Sequence, residues 1–333
     1  MNVNLEEELF TSNAVDEATI LLLIWTALEG RHRVFPMIDP NSLDDWLSRH
    51  SSDVVDTCRF CIDESLVAAS QGFCDQNVFV RPGPDDWSSL KLSPESARAF
   101  LQTPIEVWFE NDLNDSNFLL SCVADELSNK LREFEDKRWI QFQNAGGIGS
   151  MPLRVKGIAE NRRHSSIFIF DSDSRLPEVC SKQSQSVIAA CKASHIQYHC
   201  LSRRAIENYI PTRTLKTWAF SPSFRGRQSH VRKQRVTAFG SITEEQRCYF
   251  NLKLGFDGDL PGNTDGEWSS RKDEIDSLFV GISDRNRNHL KNGIQGDVAN
   301  QIYGKIKIPY SHLWENGSSD ELNEIAQNIL RKA

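Results

Sequence analysis

Absences narrow the reading of this 333-residue chain before any motif does. It has no excess of positive charge: 38 lysines and arginines face 46 acids, for a formal charge of −8. Blanket attraction to nucleic acid or to an acidic membrane is therefore excluded, and any polyanion contact must come from a local basic region. It has no long apolar run. The longest, Ala18 to Leu28, is interrupted by Thr19 and Thr26 and is too short to cross a bilayer, so a buried amphipathic helix is expected there. The opening MNVNLEEELF is acidic and reads as neither a secretory signal nor a mitochondrial presequence. A cytoplasmic protein without membrane contact is the expectation. No G-x-x-x-x-G-K-[ST] occurs, so ATP hydrolysis through a P-loop is excluded. Internal repeats and long low-complexity tracts are lacking as well.

Eight cysteines are too few for a disulfide framework in a chain of this length. Cys58 and Cys61 form a CxxC followed by Cys74, but Asp53 to Ala69 has a helical pattern. No second pair or nearby histidine completes four zinc ligands, and core cysteines in a reducing compartment are expected. What is present, 39% hydrophobic and 25% charged residues, is the composition of a soluble globular protein with one large core or two smaller ones.

Residues 1–103 read as a mainly helical region. One helix is expected from about Asn13 to Gly30, and a second from Ser42, whose hydroxyl would cap it. RPGPDDW at Arg81 to Trp87 marks a loop, and Ser93-Pro94-Glu95 opens a short helix that ends before Pro104. From residue 104 to about 211 short apolar strands alternate with amphipathic helices. The strands are Ile105–Phe109, Trp139–Phe142, Ser166–Phe170 and Gln197–Leu201. The helices are Asp115–Glu135, Leu153–Asn161 and Gln185–Ala193. This alternation predicts an α/β fold with a parallel, Rossmann-like sheet and right-handed crossovers. Residues 212–333 read as a polar, α-rich C-terminal region, with a glycine-rich loop at Phe256–Trp268 and helices near Lys272–Val280, Gly296–Tyr303 and Asp320–Arg331.

In open parallel sheets, functional groups gather beyond the carboxyl ends of the strands. The first of these four strands ends at Glu110, the second runs into Gly146-Gly147-Ile148-Gly149, the third ends in Asp171-Ser172-Asp173, and Glu207 follows the fourth. Hard divalent cations prefer carboxylate oxygens, and ions held by converging acids can activate water and stabilise charge building on a phosphate. Taken singly, each acid has a plainer role. Glu110 can open a helix, the two aspartates can form a polar turn, and Glu207 can pair with Arg203 or Arg204. The ordered set at successive strand ends is the informative feature.

That set resembles the TOPRIM domain of topoisomerases, primases, small RNA-maturing nucleases and OLD (overcoming lysogenization defect) nucleases. The family places a glutamate after the first strand, a glycine turn after the second and D-x-D after the third, matched by Glu110, Gly146/Gly147 and Asp171/Asp173. In OLD-like members the first motif is roughly Glu-Gly-x-x-Asp. Here the glycine is Asn111 and the second acid, Asp115, lies one residue late. RRAIENYIP resembles the E-N-Y segment of OLD-like and related bacterial defence proteins and brings in Glu207. The resemblance spans about a third of the chain. It implies a nuclease acting on DNA or RNA with one or two Mg²⁺ or Mn²⁺ ions, with Glu110, Asp115, Asp171, Asp173 and Glu207 as metal ligands. Lys253 would steady the phosphate, as a lysine does in OLD-like nucleases. It further implies a role in anti-phage defence. Because the first hundred residues are too short for the ATPase of OLD proteins, a separate ATPase or sensor partner is expected, and oligomerisation is possible. The alternative is a non-catalytic, nucleic-acid-binding sensor or adaptor of the same fold; a small-molecule phosphoesterase is a third reading.

Directly after these acids, Arg203, Arg204, Arg213, Lys216, Arg225, Arg227, Arg232, Lys233 and Arg235 accompany one acid, Glu207. Such a stretch would neutralise phosphates and bind in a salt-dependent way. A solvated basic loop is the plainer alternative. Trp218 and Phe224 are candidates to stack on bases, though buried aromatics are the commoner outcome. His164, His195 and His199 read as structural, and His230 as a candidate proton donor.

Overall fold

A computed structural model describes residues 1–12, 15–70, 76–222, 227–259, 268–294 and 298–333, with the backbone alone at 112–114 and 227–228. It contains two four-stranded parallel sheets flanked by helices. The first comprises β1 (Asn2–Glu6), β2 (Arg33–Met37), β3 (Asn77–Val80) and β4 (Lys91–Leu92), in the order β2-β1-β3-β4. The second comprises β5 (Ile105–Phe109), β6 (Ile140–Asn144), β7 (Ser166–Phe170) and β8 (Gln197–Cys200), in the order β6-β5-β7-β8. Counted within each sheet, the two orders are the same.

The first sheet adds a parallel sheet to the N-terminal region, whose described residues are otherwise largely helical as expected. Asn-Val-Asn-Leu-Glu alternates, burying Val3 and Leu5 completely while Asn2, Asn4 and Glu6 stay half-exposed, which is the period-two signature of a strand. In β2, Pro36 would break a central strand, but β2 lies at the sheet edge, where a missing N–H is tolerated. The helix after β2 is capped by Asp39 rather than Ser42. Asp39 Oδ1 accepts from the amides of Asn41 (3.0 Å) and Ser42 (3.1 Å), with Pro40 in the first turn.

In the second sheet β5 and β7 span the residues expected, and β6 and β8 are displaced by a residue or two. The helix expected over Asp115–Glu135 is two helices, Asp112–Cys122 and Asp125–Asp136, broken by extended backbone at Val123 and Ala124. The next is likewise divided, into Met151–Gly157 and Glu160–Arg163. After β8 the described residues form helices and no strand.

Val3 and Val78 of the first sheet and Val107 and Ile167 of the second belong to one continuous apolar core. A smaller cluster of Met151, Val155, Phe168, Phe170, Val187 and Cys191 covers the opposite face of the second sheet. The strand β7 is therefore buried along its whole length, as its unbroken SIFIF sequence requires. The last helix, Ser319–Lys332, is tied back to this sheet through Glu321. Its Oε1 accepts from Ser202 N (2.8 Å) and pairs with His199 Nε2 (2.9 Å), and its Oε2 accepts from Ser202 Oγ (2.5 Å) and Tyr209 OH (2.7 Å). Among the described residues no helix is long and apolar enough to cross a membrane.

Candidate functional site

Because β5 and β7 are parallel neighbours, with Trp108 opposite Phe168, their carboxyl ends open at one edge. Glu110 leaves β5 there, and Asp171 leaves β7. Glu110 Oε1 accepts from Asp171 N at 3.1 Å, and Asp171 Oδ1 in turn accepts from Ile206 N at 3.0 Å. The glycine turn after β6 holds Glu110 from the other side: Gly147 N donates to the Glu110 carbonyl at 3.0 Å. Gly146 (φ 79°) and Gly147 (φ 90°) occupy backbone conformations that side chains resist.

Asp173 has φ 47°, a left-handed conformation that aspartate tolerates better than most residues. Its amide donates to the Arg204 carbonyl at 2.9 Å, and Ser172 Oγ donates to the Arg203 carbonyl at 2.8 Å. The D-x-D turn is thus laced to the segment bearing Glu207. Glu207 is buried on a 3₁₀ turn, Ile206–Tyr209. Its Oε1 pairs with Lys253 Nζ at 3.0 Å, while its Oε2 is buried with no hydrogen-bond partner. Asp115 is also buried, and its Oδ2 accepts from Asn111 N at 2.9 Å, closing the first turn of its helix.

The electrostatics record how close these groups stand. Burial pushes the Glu110 carboxyl up to about 7; Asp173 and Asp115 add to the rise, against the Asp171 amide and Lys253. Burial, then Glu110, Glu207, Asp115 and Asp173, raise Asp171 well above the usual aspartate range. Asp173 is raised by burial against the pull of Arg204 and Lys253. For Lys253 burial acts downward, but Glu207, Asp171 and Glu110 outweigh it and raise the ammonium. Four segments of chain thus bring five carboxyls and one lysine into mutual influence. The set carries more negative charge than Lys253 balances, the situation a cation relieves. As they stand, no three His, Cys, Asp or Glu side chains among the described residues are gathered at a spacing that would hold an ion. The donors are all hard carboxylate oxygens, which suit Mg²⁺ or Mn²⁺, and the orphaned Glu207 Oε2 lacks any other partner.

The basic stretch divides. Arg203 and Arg204 are not available to a phosphate backbone. Arg203 is 6% exposed, pairs with Glu244 at 3.1 Å, donates to the carbonyls of Asn208 and Asn316, and lies over the Tyr209 ring. Arg204 grips both carboxylate oxygens of Asp259, at 2.7 and 2.8 Å. Nothing in the local sequence Ser202-Arg203-Arg204-Ala205-Ile206-Glu207 signals that both turn inward. Arg213 and Lys216 are exposed, Arg213 against Glu315 at 3.2 Å. Arg232, Lys233 and Arg235 are half-buried on the helix Arg227–Phe239. Arg225, the side chain of Arg227, and Phe224 lie outside the described residues.

Trp218 is buried and donates to Gln301, so it cannot stack on a base. Among the described residues of the basic stretch the exposed aromatic is Phe220, 52% accessible with Lys233 Nζ 5.1 Å from its ring centre. His164 bonds the Trp87 carbonyl and His199 bonds Glu321, while His230 is exposed. Glu321, 112 residues from Tyr209 in sequence, carries no local signal that marks it as a long-range acceptor.

Comparison with protein-family models, curated proteins and solved structures finds no match for this chain.

Proposed function

We propose that this protein is a Mg²⁺- or Mn²⁺-dependent nuclease of the TOPRIM type, cleaving phosphodiester bonds in DNA or RNA. The observation that carries the proposal is that Glu110 and Asp171 leave neighbouring strands at the carboxyl edge of one parallel sheet, within electrostatic reach of Asp173, Glu207 and Lys253. Bound there, a divalent ion would supply Lewis acidity toward a phosphate oxygen and a lowered pKa for water. Glu110, Asp171, Asp173 and Glu207 would hold it, and Asp115 would support Glu110. Lys253, whose side chain is 62% exposed, can release Glu207 and offer its ammonium to a non-bridging oxygen of the substrate. The remaining basic side chains, Arg213, Lys216, Arg232, Lys233 and Arg235, would carry the phosphate backbone. The resemblance at Glu110, Asp171-Ser172-Asp173 and Glu207-Asn208-Tyr209 supports a role in bacterial defence against phage, with a separate ATPase or sensor as partner.

The test is a cleavage panel over plasmid, single-stranded DNA, transfer RNA and bulk RNA with each metal, comparing wild type with Asp171→Ala. Cleavage by wild type, chelator-sensitive and lost in a folded variant, is expected. Equal cleavage by the variant removes the proposal. One observation favours a second reading: the carboxylates are already engaged by Asp171 N, Ile206 N, Asn111 N and Lys253. A sensor that grips nucleic acid without cutting it fits that self-contained arrangement. Binding in chelator, with no cleavage under any metal, would select it.

A further inference from the structure

Cys180 and Cys200 are both free thiols and both partly exposed, and their sulfurs lie 3.6 Å apart across 20 residues of sequence. Cys200 ends β8, in register with Phe170, the residue before Asp171. Cys180 stands at the far end of the loop that begins with Asp171. That loop is closed at its foot: Ser181 N donates to the Ser172 carbonyl at 3.0 Å, and Ser184 Oγ lies 3.0 and 2.9 Å from the carbonyls of Asp171 and Ser172. Asp173, in its left-handed conformation, is carried inside it. Of the other described cysteines, Cys58, Cys61, Cys122 and Cys191 are buried, where an oxidant does not reach, while Cys248 is partly exposed like this pair.

We propose that Cys180 and Cys200 are a redox modification site, forming a reversible disulfide that clamps the Asp173 loop to the end of β8. The oxidant is a hydroperoxide. One thiolate sulfur attacks a peroxide oxygen; the O–O bond breaks, the leaving hydroxide takes up a proton, and a sulfenic acid forms. The second sulfur attacks the first, the S–O bond breaks, a second water leaves and the S–S bond forms. Two thiols and one hydrogen peroxide become one disulfide and two waters, and an external dithiol reverses the step by exchange. The sulfurs must close to about 2.05 Å, an approach of about 1.5 Å that the partly exposed foot of a loop can supply. The bridge would remove freedom from the one segment on which both aspartates of the proposed metal site depend. The bridge itself stands apart from the nuclease reading, whereas its effect on cleavage rests on it.

The experiment treats the full reduced chain with stoichiometric hydrogen peroxide and maps peptides without reduction. Cys180 linked to Cys200 is expected, reversed by dithiothreitol and absent from Cys180→Ser and Cys200→Ser. Amides of residues 172–181 should exchange about tenfold or more slowly in the oxidised protein. Bridges only between molecules, sulfinic acid at either cysteine without a bridge, or unchanged exchange in a bridged protein would each overturn the proposal. On the substrate that the cleavage panel selects, oxidation should slow wild type and spare Cys180→Ser. A bridged protein that cuts at an unchanged rate overturns the coupling. Absence of cleavage in every form counts against the nuclease reading instead, since the bridge is read by mass.

Discussion

The two sheets share one strand order and differ in the residues that lie beyond their strand ends. After β1 comes Glu7, exposed at the start of a short helix; after β5 comes Glu110, half-buried and bonded to its neighbour across the sheet. After β2, Asp39 is consumed in capping a helix; after β6, two glycines in the left-handed region fold back onto the Glu110 carbonyl. After β3 stands Arg81, where after β7 stand Asp171 and Asp173. Strand order alone therefore specifies no chemistry. The same framework presents an acidic cluster at one edge and, at the other, an exposed Glu7, the helix cap Asp39 and an Arg81 whose Nε is buried without a hydrogen-bond partner.

The comparison breaks hardest on paired substitutions at matching positions. Glu110→Gln should lower metal-dependent cleavage by about a hundredfold or more, measured as a single-turnover rate. Next in size is Arg203→Ala. It strips two carbonyls and Glu244 of a buried donor and should cost about 3 kcal/mol in a denaturant titration. A cost below about 0.5 kcal/mol would return Arg203 to the substrate-binding surface.

Glu321 sharpens the contrast through pH. Burial works to raise its carboxyl, but bonds from His199, Ser202 and Tyr209 outweigh it and hold the group below the ordinary glutamate value of 4.5. Its stabilisation is therefore complete above that value and is lost as pH falls through the lower folded-state value. Glu321→Ala should cost about 2 kcal/mol at neutral pH and flatten the acid side of the melting-temperature profile; an unchanged acid limb would refute the assignment. Smaller still, Lys216→Ala, Lys233→Ala and Arg235→Ala together should reduce the slope of log affinity against log salt by about 2 to 3, read by anisotropy in chelator. The smallest effect belongs to Glu7→Gln: cleavage within about twofold of wild type and stability within about 0.5 kcal/mol. A large loss there would give the first sheet a role at the site.

How far the sequence disclosed this molecule depends on where each signal resides. The strands β5 and β7 are read correctly because IEVWF and SIFIF are compact apolar runs whose ends fall beside acids. The first sheet is hidden by the opposite character of its strands. Asn2 and Asn4 dilute β1, Pro36 interrupts β2, and β4 is two residues long, while the flanking apolar helices dominate any window. The placement of Glu110, Asp171 and Asp173 just beyond β5 and β7 is legible because a strand end is a local feature. Asp39 as cap is hard to tell from sequence because Ser42, three residues on, is a competing cap. The inward turn of Arg203 and Arg204 is not legible because most of their acceptors, Glu244, Asp259 and Asn316, lie far along the chain, the last 113 residues away, and charge density records no direction.

The four bonds to Glu321 set a practical limit on dissecting the molecule. A fragment trimmed to the second sheet, ending near residue 211, would leave His199, Ser202 and Tyr209 without their common acceptor and Glu207 without Lys253. Such a minimal piece would expose the underside of β8 and unmoor the turn beside Asp171. Its silence in an assay would speak only of the cut.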